Sequence, residues 1–467
     1  MNVKACFVHV GKKQAGGQLI KLLPLGLPAL ADLLDREGCP STIVHLPLER
    51  SLSSTFDLPR FISAGAFPVA LFDLHWHYQS HDVVEAVRDL ARRQDRPKIV
   101  LGGFTASFFH DEIMRTVSEV DFIIRGDSEI PLTRLMRALS DKETDFSGAP
   151  NLSWRKAEKI IHNPAGYRVT REILDRLNFT RFELILHHRQ YLERLSTGPG
   201  RFDREPIFYY TPGRGCSSDC AFCGGARAAQ KLINNRSSIA LSSVDAVMRQ
   251  FRDLKRHNIR KVCICFDPSP KSRYYLEIFE RIRAEGLDIA MDFECFSLPT
   301  PEFIDDFSRT FKSDSSITLS PETGSDRVRK LNKGMYYSNS DLIKALERLS
   351  ARGTKVYLAF AAGLAHETRK DSAATIELIR LVRKRFGNVE FHIGVVELEP
   401  ASSWSLHGKR HGIAGDRSTF LDFYRIHEKQ SSLGYSTEHL TERQIMALRR
   451  IYQAEAGCKI SQTISGP

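Results

Sequence analysis

The chain is 467 residues long with 42% hydrophobic and 26% charged residues, enough apolar material for two or three packed domains and too much for a disordered polymer. No run approaches the roughly 20 apolar residues of a membrane span, and the opening MNVKACFVHV lacks the basic-then-apolar layout of a secretory signal, so a cytoplasmic protein is expected. The formal charge of +11 would suit a nucleic-acid partner, but Lys and Arg fall mostly on amphipathic stretches such as RQFRDLKRHNIRK, where they solvate an outer face; nucleic acid is therefore not expected.

Over residues 1–141 the strand-like runs VKACFVHV, STIVHLPL, FPVALFDLHW, KIVLGG and VDFIIRG alternate with helical runs such as LPALADLLDREG and HDVVEAVRDLARRQ. This predicts a five-stranded, doubly wound α/β domain that binds ligands at the carboxyl ends of its strands. Gly102, Gly103 and Gly126 each follow a strand directly, where glycine serves either a tight turn or close approach to a ligand. Residues 142–205, which include SGAPNLSWRKAEKIIHNPAGY, are expected to be a linker holding a hairpin and a helix.

From residue 206 to 400 the alternation resumes through IFYYTPG, KVCICFD, IAMDFECFS, SITLSPET, KVYLAFAAG and VEFHIGVVELEP. Helix starts are expected at Ser242, Thr300 and Ser338, and Val244, Val247, Phe251 and Leu254 fall on one helical face. Six such repeats predict a partial (βα)6 barrel with its site at the C-terminal mouth of the strands. Residues 401–467 are expected to form a small, mostly helical cap, in which Tyr435, Glu438, His407 and His411 are reachable polar groups.

Of nine cysteines, Cys6, Cys39, Cys263, Cys265, Cys295 and Cys458 are scattered, and the first five of these, in apolar or strand-like surroundings, are expected to be small buried side chains. The other three, Cys216, Cys220 and Cys223, gather in PGRGCSSDCAFCGG after the first barrel strand. Structural zinc wants four ligands in close pairs, and a redox Cys220-x-x-Cys223 pair leaves Cys216 unexplained. A four-iron cluster ordinarily takes four thiolates. Three would leave one iron open, as a catalytic metal requires.

The spacing Cys216-x3-Cys220-x2-Cys223, with aromatic Phe222 before the last cysteine, resembles the signature of radical S-adenosylmethionine (radical SAM) enzymes. That resemblance implies a [4Fe–4S] cluster held by the three cysteines, with SAM chelating the fourth iron. It further implies SAM contacts from Phe222, from Glu322 with Ser325 or Arg329 in SPETGSDRVRKLNKG, from Gly363 and from VVELEP. The second-strand motif is not intact, and Asp267 in CICFDPSP is at best its substitute. The amino-terminal domain is similar to the Rossmann-like cobalamin-binding domain of B12-dependent radical SAM proteins, with Asp73, His75, Gly102, Gly103, Thr105 and Gly126 as implied contacts. His77 and Trp76 lie on the same segment. Asp-x-His-x-x-Gly after the first strand is absent, which leaves cobalamin bound without histidine coordination, or a cobalamin-free relic.

The resemblance implies methyl transfer to an unactivated carbon or a phosphorus centre of a small molecule or peptide, with an electron from a flavodoxin or ferredoxin. Cyclisation, oxidation or aminocarboxypropyl transfer on the same architecture is the alternative, and a binding module that has lost turnover is the rival from another class. Methylthiotransferases carry further cluster cysteines in the amino-terminal domain, where this chain has only Cys6 and Cys39.

Overall fold

The structure is a computed structural model, and it describes residues 1, 3–11, 23–195, 207–267, 272–311, 314–415, 417–429 and 433–458. No helix among them is long and apolar enough to cross a membrane. The chain divides into two compact units: one of residues 1–195, 229–240 and 417–432, the other of 196–228, 241–416 and 433–467.

The first unit is built on strands β1 (Ala5–His9), β2 (Ser41–His45), β3 (Val69–Asp73), β4 (Lys98–Gly102), β5 (Phe122–Ile124), β6 (Leu152–Lys156) and β7 (Lys159–His162), in spatial order β2-β1-β3-β4-β5-β6-β7. The first five are parallel, and β1 and β3 are buried at every position, which is why they read as continuous apolar runs. Their order places a topological switch between β1 and β3, and ligands of such sheets bind outside the strand ends there.

The hairpin expected within residues 142–205 is present as β6 and β7, which extend the sheet antiparallel, giving seven strands where five were expected. Trp154 is buried and donates its indole N–H to Asn163 Oδ1 at 3.0 Å, while Asn163 caps the carbonyls of Phe146 and Ala149 at 2.7 Å each. Part of the expected C-terminal cap also belongs here. Helix Phe420–Lys429 buries Phe420 and Phe423 in the first unit's core, and Glu112 accepts the Phe420 N–H at 2.7 Å.

The second unit carries β8 (Ile207–Tyr210), β9 (Lys261–Ile264), β10 (Ala290–Cys295), β11 (Ser316–Glu322), β12 (Lys355–Ala362) and β13 (Val389–Val395). They form one six-stranded parallel sheet in chain order, β13-β12-β11-β10-β9-β8. It is an open partial barrel, as expected. In helix Val244–Arg256, Val247, Phe251 and Leu254 are fully buried. Its cap is Ser243, whose hydroxyl accepts from Ala246 N at 3.2 Å, one residue beyond the expected Ser242; Ser242 instead donates its backbone N–H to the Pro212 carbonyl. Thr300 and Ser338 cap their helices as expected.

Candidate functional site

The loop that follows β8 turns at Gly215, whose φ of +98° is glycine territory, and then presents the three cysteines. Each sulfur lies in reach of a backbone N–H: Ser218 N to Cys216 Sγ at 3.4 Å, Gly334 N to Cys220 Sγ at 3.4 Å and Gly225 N to Cys223 Sγ at 3.3 Å. Such N–H donors stabilise thiolate sulfur and tune a cluster bound through it. Burial pushes the Cys216 and Cys223 thiols up, Cys223 well above its ordinary value, so the bare loop resists ionisation, and a metal that takes the thiolates supplies the compensating charge.

The loop is clamped from below. Ala221 donates to the Asn332 carbonyl at 2.7 Å and accepts from Trp404 N at 2.9 Å, and the Trp404 indole donates to Asn332 Oδ1 at 3.1 Å. Phe222 sits with its ring centroid 5.9 Å from that of Trp404. Gly334 approaches so closely that a Cβ there would lie 2.2 Å from Asp219 N. Glu399, in VVELEP, accepts the Gly224 N–H at 2.5 Å, and burial pushes its carboxyl up to about 7.

Glu322 ends β11 in the left-handed region at φ +63°, after a break in register between Leu319 and Glu322. Burial raises its carboxyl, and Lys333 Nζ, 3.5 Å away, opposes that rise. The two carbonyls flanking it, of Pro321 and Thr323, are both bound by Arg329, which also donates to Asp326, the Tyr337 carbonyl and Asn339. Arg329 is fully buried. Its guanidinium thus ties down the main chain on both sides of Glu322. Ser325 is likewise engaged: its hydroxyl caps Val328 N and donates to Asp371 at 2.6 Å. Asp267 is tied to Ser297, accepting its N–H at 2.6 Å. Gly363 has φ +83° and packs where a Cβ would meet Ile445 at 2.5 Å. Lys333, Gly334, Asn332 and Glu399 were not singled out from sequence, although KLNKG and VVELEP contain them.

In the first unit the expected cobalamin contacts gather at the strand ends. Asp73 is buried, its two carboxylate oxygens each 3.0 Å from His9 Nδ1, and Gln79 donates to it at 3.2 Å. Thr105 donates its hydroxyl to the His75 carbonyl at 3.0 Å, and the His75 ring lies between Trp76 and Phe104 at 5.3 and 5.1 Å. A Cβ on Gly103 would strike His75 N at 2.7 Å, and one on Gly126 would meet Asn234 Oδ1 at 2.9 Å. Asp73, Gly103, Thr105 and Gly126 thus each hold a contact within the protein. Gly102 is different: a Cβ there meets nothing within 4 Å. His9 Nε2, oriented through Nδ1 by Asp73, is buried with no partner among the described residues, and sequence reasoning missed it. An open glycine and an orphaned buried nitrogen at the β1 and β4 ends fit a ligand.

His77 pairs with His427 at 2.9 Å, and Trp76 stacks on Tyr78 at 5.6 Å. In the second unit, Tyr435 donates to the Val396 carbonyl at 2.7 Å, Glu438 accepts from His366 at 2.7 Å, and His411 pairs with Ser403 at 2.8 Å. His407 serves as the residue between two short helical turns.

Residues 210–379 match the Radical SAM superfamily. An uncharacterized methyltransferase of Pyrococcus horikoshii is 23% identical over 76% of this chain and 73% of its own length. An uncharacterized protein of Methanocaldococcus jannaschii is 26% identical over 42% of this chain and 41% of its own. Among solved structures, the radical S-adenosylmethionine methyltransferase TsrM from Kitasatospora setae, with cobalamin and a [4Fe–4S] cluster bound, superposes with a TM-score of 0.68. It covers 89% of this chain and 78% of TsrM at 13% identity. TsrM with tryptophan substrate and a SAM analogue gives a TM-score of 0.66 at 12% identity. At such identities the likeness is one of fold.

Proposed function

We propose that the chain, whose residues 210–379 match the Radical SAM superfamily, is a cobalamin-dependent methyltransferase. Its expected target is an unactivated carbon or a phosphorus centre of a small molecule or peptide. The observation that carries this reading is the loop of three cysteines, each sulfur met by a backbone N–H, in a chain that shares the TsrM fold over 89% of its length. When bound, the cluster supplies one electron for cleavage of SAM, and cobalamin supplies methyl transfer.

Cys216, Cys220 and Cys223 would hold three irons. Phe222 would face the adenine, and Glu322, fixed in its left-handed conformation by Arg329, would meet the bound SAM. Glu399 would hold the loop through Gly224. Gly102, His75 and His9 would border the corrin. The chain's own work is alignment and exclusion of water, because a primary carbon radical is quenched by any loose hydrogen donor. A flavodoxin- or ferredoxin-type protein would deliver the electron.

The test requires no substrate. The anaerobically reconstituted chain is incubated with reduced cobalamin and SAM, and the SAM-derived products are separated. S-adenosylhomocysteine formed only when cobalamin is supplied is the expected result. Release of 5′-deoxyadenosine alone, indifferent to cobalamin, would favour cyclisation, oxidation or a related reaction and would overturn methyl transfer.

A further inference from the structure

Sheet alternation divides the second unit's strands into two faces. Ile264, Met291 and Phe293 line one apolar space with Phe251, Tyr275 and Phe279 of the covering helices. Cys263, Cys265 and Glu294 therefore project from the opposite face of β9, the residue that follows it, and β10. There Cys263 Sγ and Cys265 Sγ are 3.6 Å apart, and Cys263 Sγ lies 3.7 Å from Glu294 Oε1. One ligand atom from each of the three falls within 4.8 Å of the others.

The two short separations match the edges of a coordination tetrahedron. With zinc–sulfur bonds of about 2.3 Å and zinc–oxygen bonds of about 2.1 Å, tetrahedral geometry gives sulfur–sulfur edges of about 3.7 Å and sulfur–oxygen edges of about 3.6 Å. A disulfide would instead need the sulfurs at about 2.0 Å. Three acidic groups packed this closely repel one another when ionised, and a divalent cation converts that repulsion into binding. Two thiolates and one carboxylate suit a borderline-soft ion and poorly suit calcium or magnesium.

We propose that Cys263, Cys265 and Glu294 form a mononuclear site for a divalent ion of the zinc class, separate from the three-cysteine loop and open at a fourth position. Three protein ligands with one position free are the pattern of catalytic rather than structural zinc. The buried Thr318 hydroxyl, which has no partner among the described residues, stands on β11 beside Glu294. The open position takes water or a heteroatom of the substrate.

The test uses the full chain with Cys216, Cys220 and Cys223 all changed to Ala, so that no cluster signal interferes and the outcome does not depend on the methyltransferase reading. Titrated anaerobically with Co2+, it is expected to bind one ion per chain with thiolate-to-cobalt charge transfer in the near ultraviolet and tetrahedral ligand-field bands in the red. Zn2+ should abolish both. Adding Cys263→Ser and Cys265→Ser should weaken binding at least 100-fold, and Glu294→Gln at least tenfold while the charge-transfer band survives. Circular dichroism identifies any variant that has not folded, and Glu294→Gln, nearly isosteric, keeps the site testable if the serine pair fails. No stoichiometric cobalt, cobalt binding unchanged by all of these substitutions, or a Cys263–Cys265 disulfide in the anaerobically isolated chain would overturn the proposal.

Discussion

Changing any one of Cys216, Cys220 or Cys223 to Ala is expected to eliminate reductive SAM cleavage, lowering 5′-deoxyadenosine formation by at least about 10³-fold. The size follows from the ligand count. A cluster that already leaves one iron to SAM has three protein bonds, and losing one leaves a second iron without a protein ligand. No neighbour can substitute. Each sulfur has its own backbone donor, and the loop is pinned at Ala221 by Asn332 and Trp404, so it cannot slide to offer another group. Serine at the same positions should fail in the same way, because its hydroxyl remains protonated where a thiol ionises on metal. The check is product analysis after anaerobic reconstitution, with iron counted per chain. Turnover within tenfold of wild type in any of the three variants would refute the ligand assignment.

Arg329→Met is the second large effect, and it is structural in origin. The guanidinium is fully buried and binds the carbonyls of Pro321, Thr323 and Tyr337 as well as Asp326 and Asn339. Methionine fills much of the volume but leaves three main-chain acceptors unanswered, each at roughly 1 kcal/mol or more. The expected loss is about 3–5 kcal/mol, or roughly 10 °C in melting temperature for a unit of this size. Below its transition the variant should also bind SAM more weakly, because Glu322 is no longer held at φ +63°. Arg329→Lys, which can meet one or two of the carbonyls, should fall between. A Met variant that melts within 2 °C of wild type, with SAM binding unchanged, would contradict the positioning role.

Much of the second unit was legible in the sequence because its signals are local. Parallel strands covered on both faces read as apolar runs, helix starts carry Thr300-Pro301 or the Ser338 and Asp341 box, and three thiols within one loop declare themselves by spacing. What escaped depends on contacts remote in sequence. The hairpin around Trp154 is suggested by its turn residues, but that it joins the edge of the first unit's sheet depends on pairing with β5, which no local pattern gives. Helix Phe420–Lys429 reads as part of a cap until its two phenylalanines are found in the other unit's core.

Site residues divide along the same line. Arg329 beside a strand-end glutamate looks like a ligand group, and its real partners are carbonyls whose direction no sequence pattern gives. Asp73 was read with His75 from adjacency, whereas its partner is His9, one strand away in the sheet. Cys263 and Cys265 look like packing in an apolar strand. Their register with Glu294 on the next strand, which sequence does not supply, turns them into a cluster.

The most direct test of the central claim is electron paramagnetic resonance of the anaerobically reconstituted, dithionite-reduced chain, recorded with and without SAM beside the Cys216→Ala, Cys220→Ala, Cys223→Ala triple variant. The account predicts about four irons per wild-type chain, a reduced-cluster signal whose shape changes when SAM is added, and neither feature in the triple variant. A wild-type chain that holds no more iron than the triple variant, or a cluster signal indifferent to SAM, would contradict it.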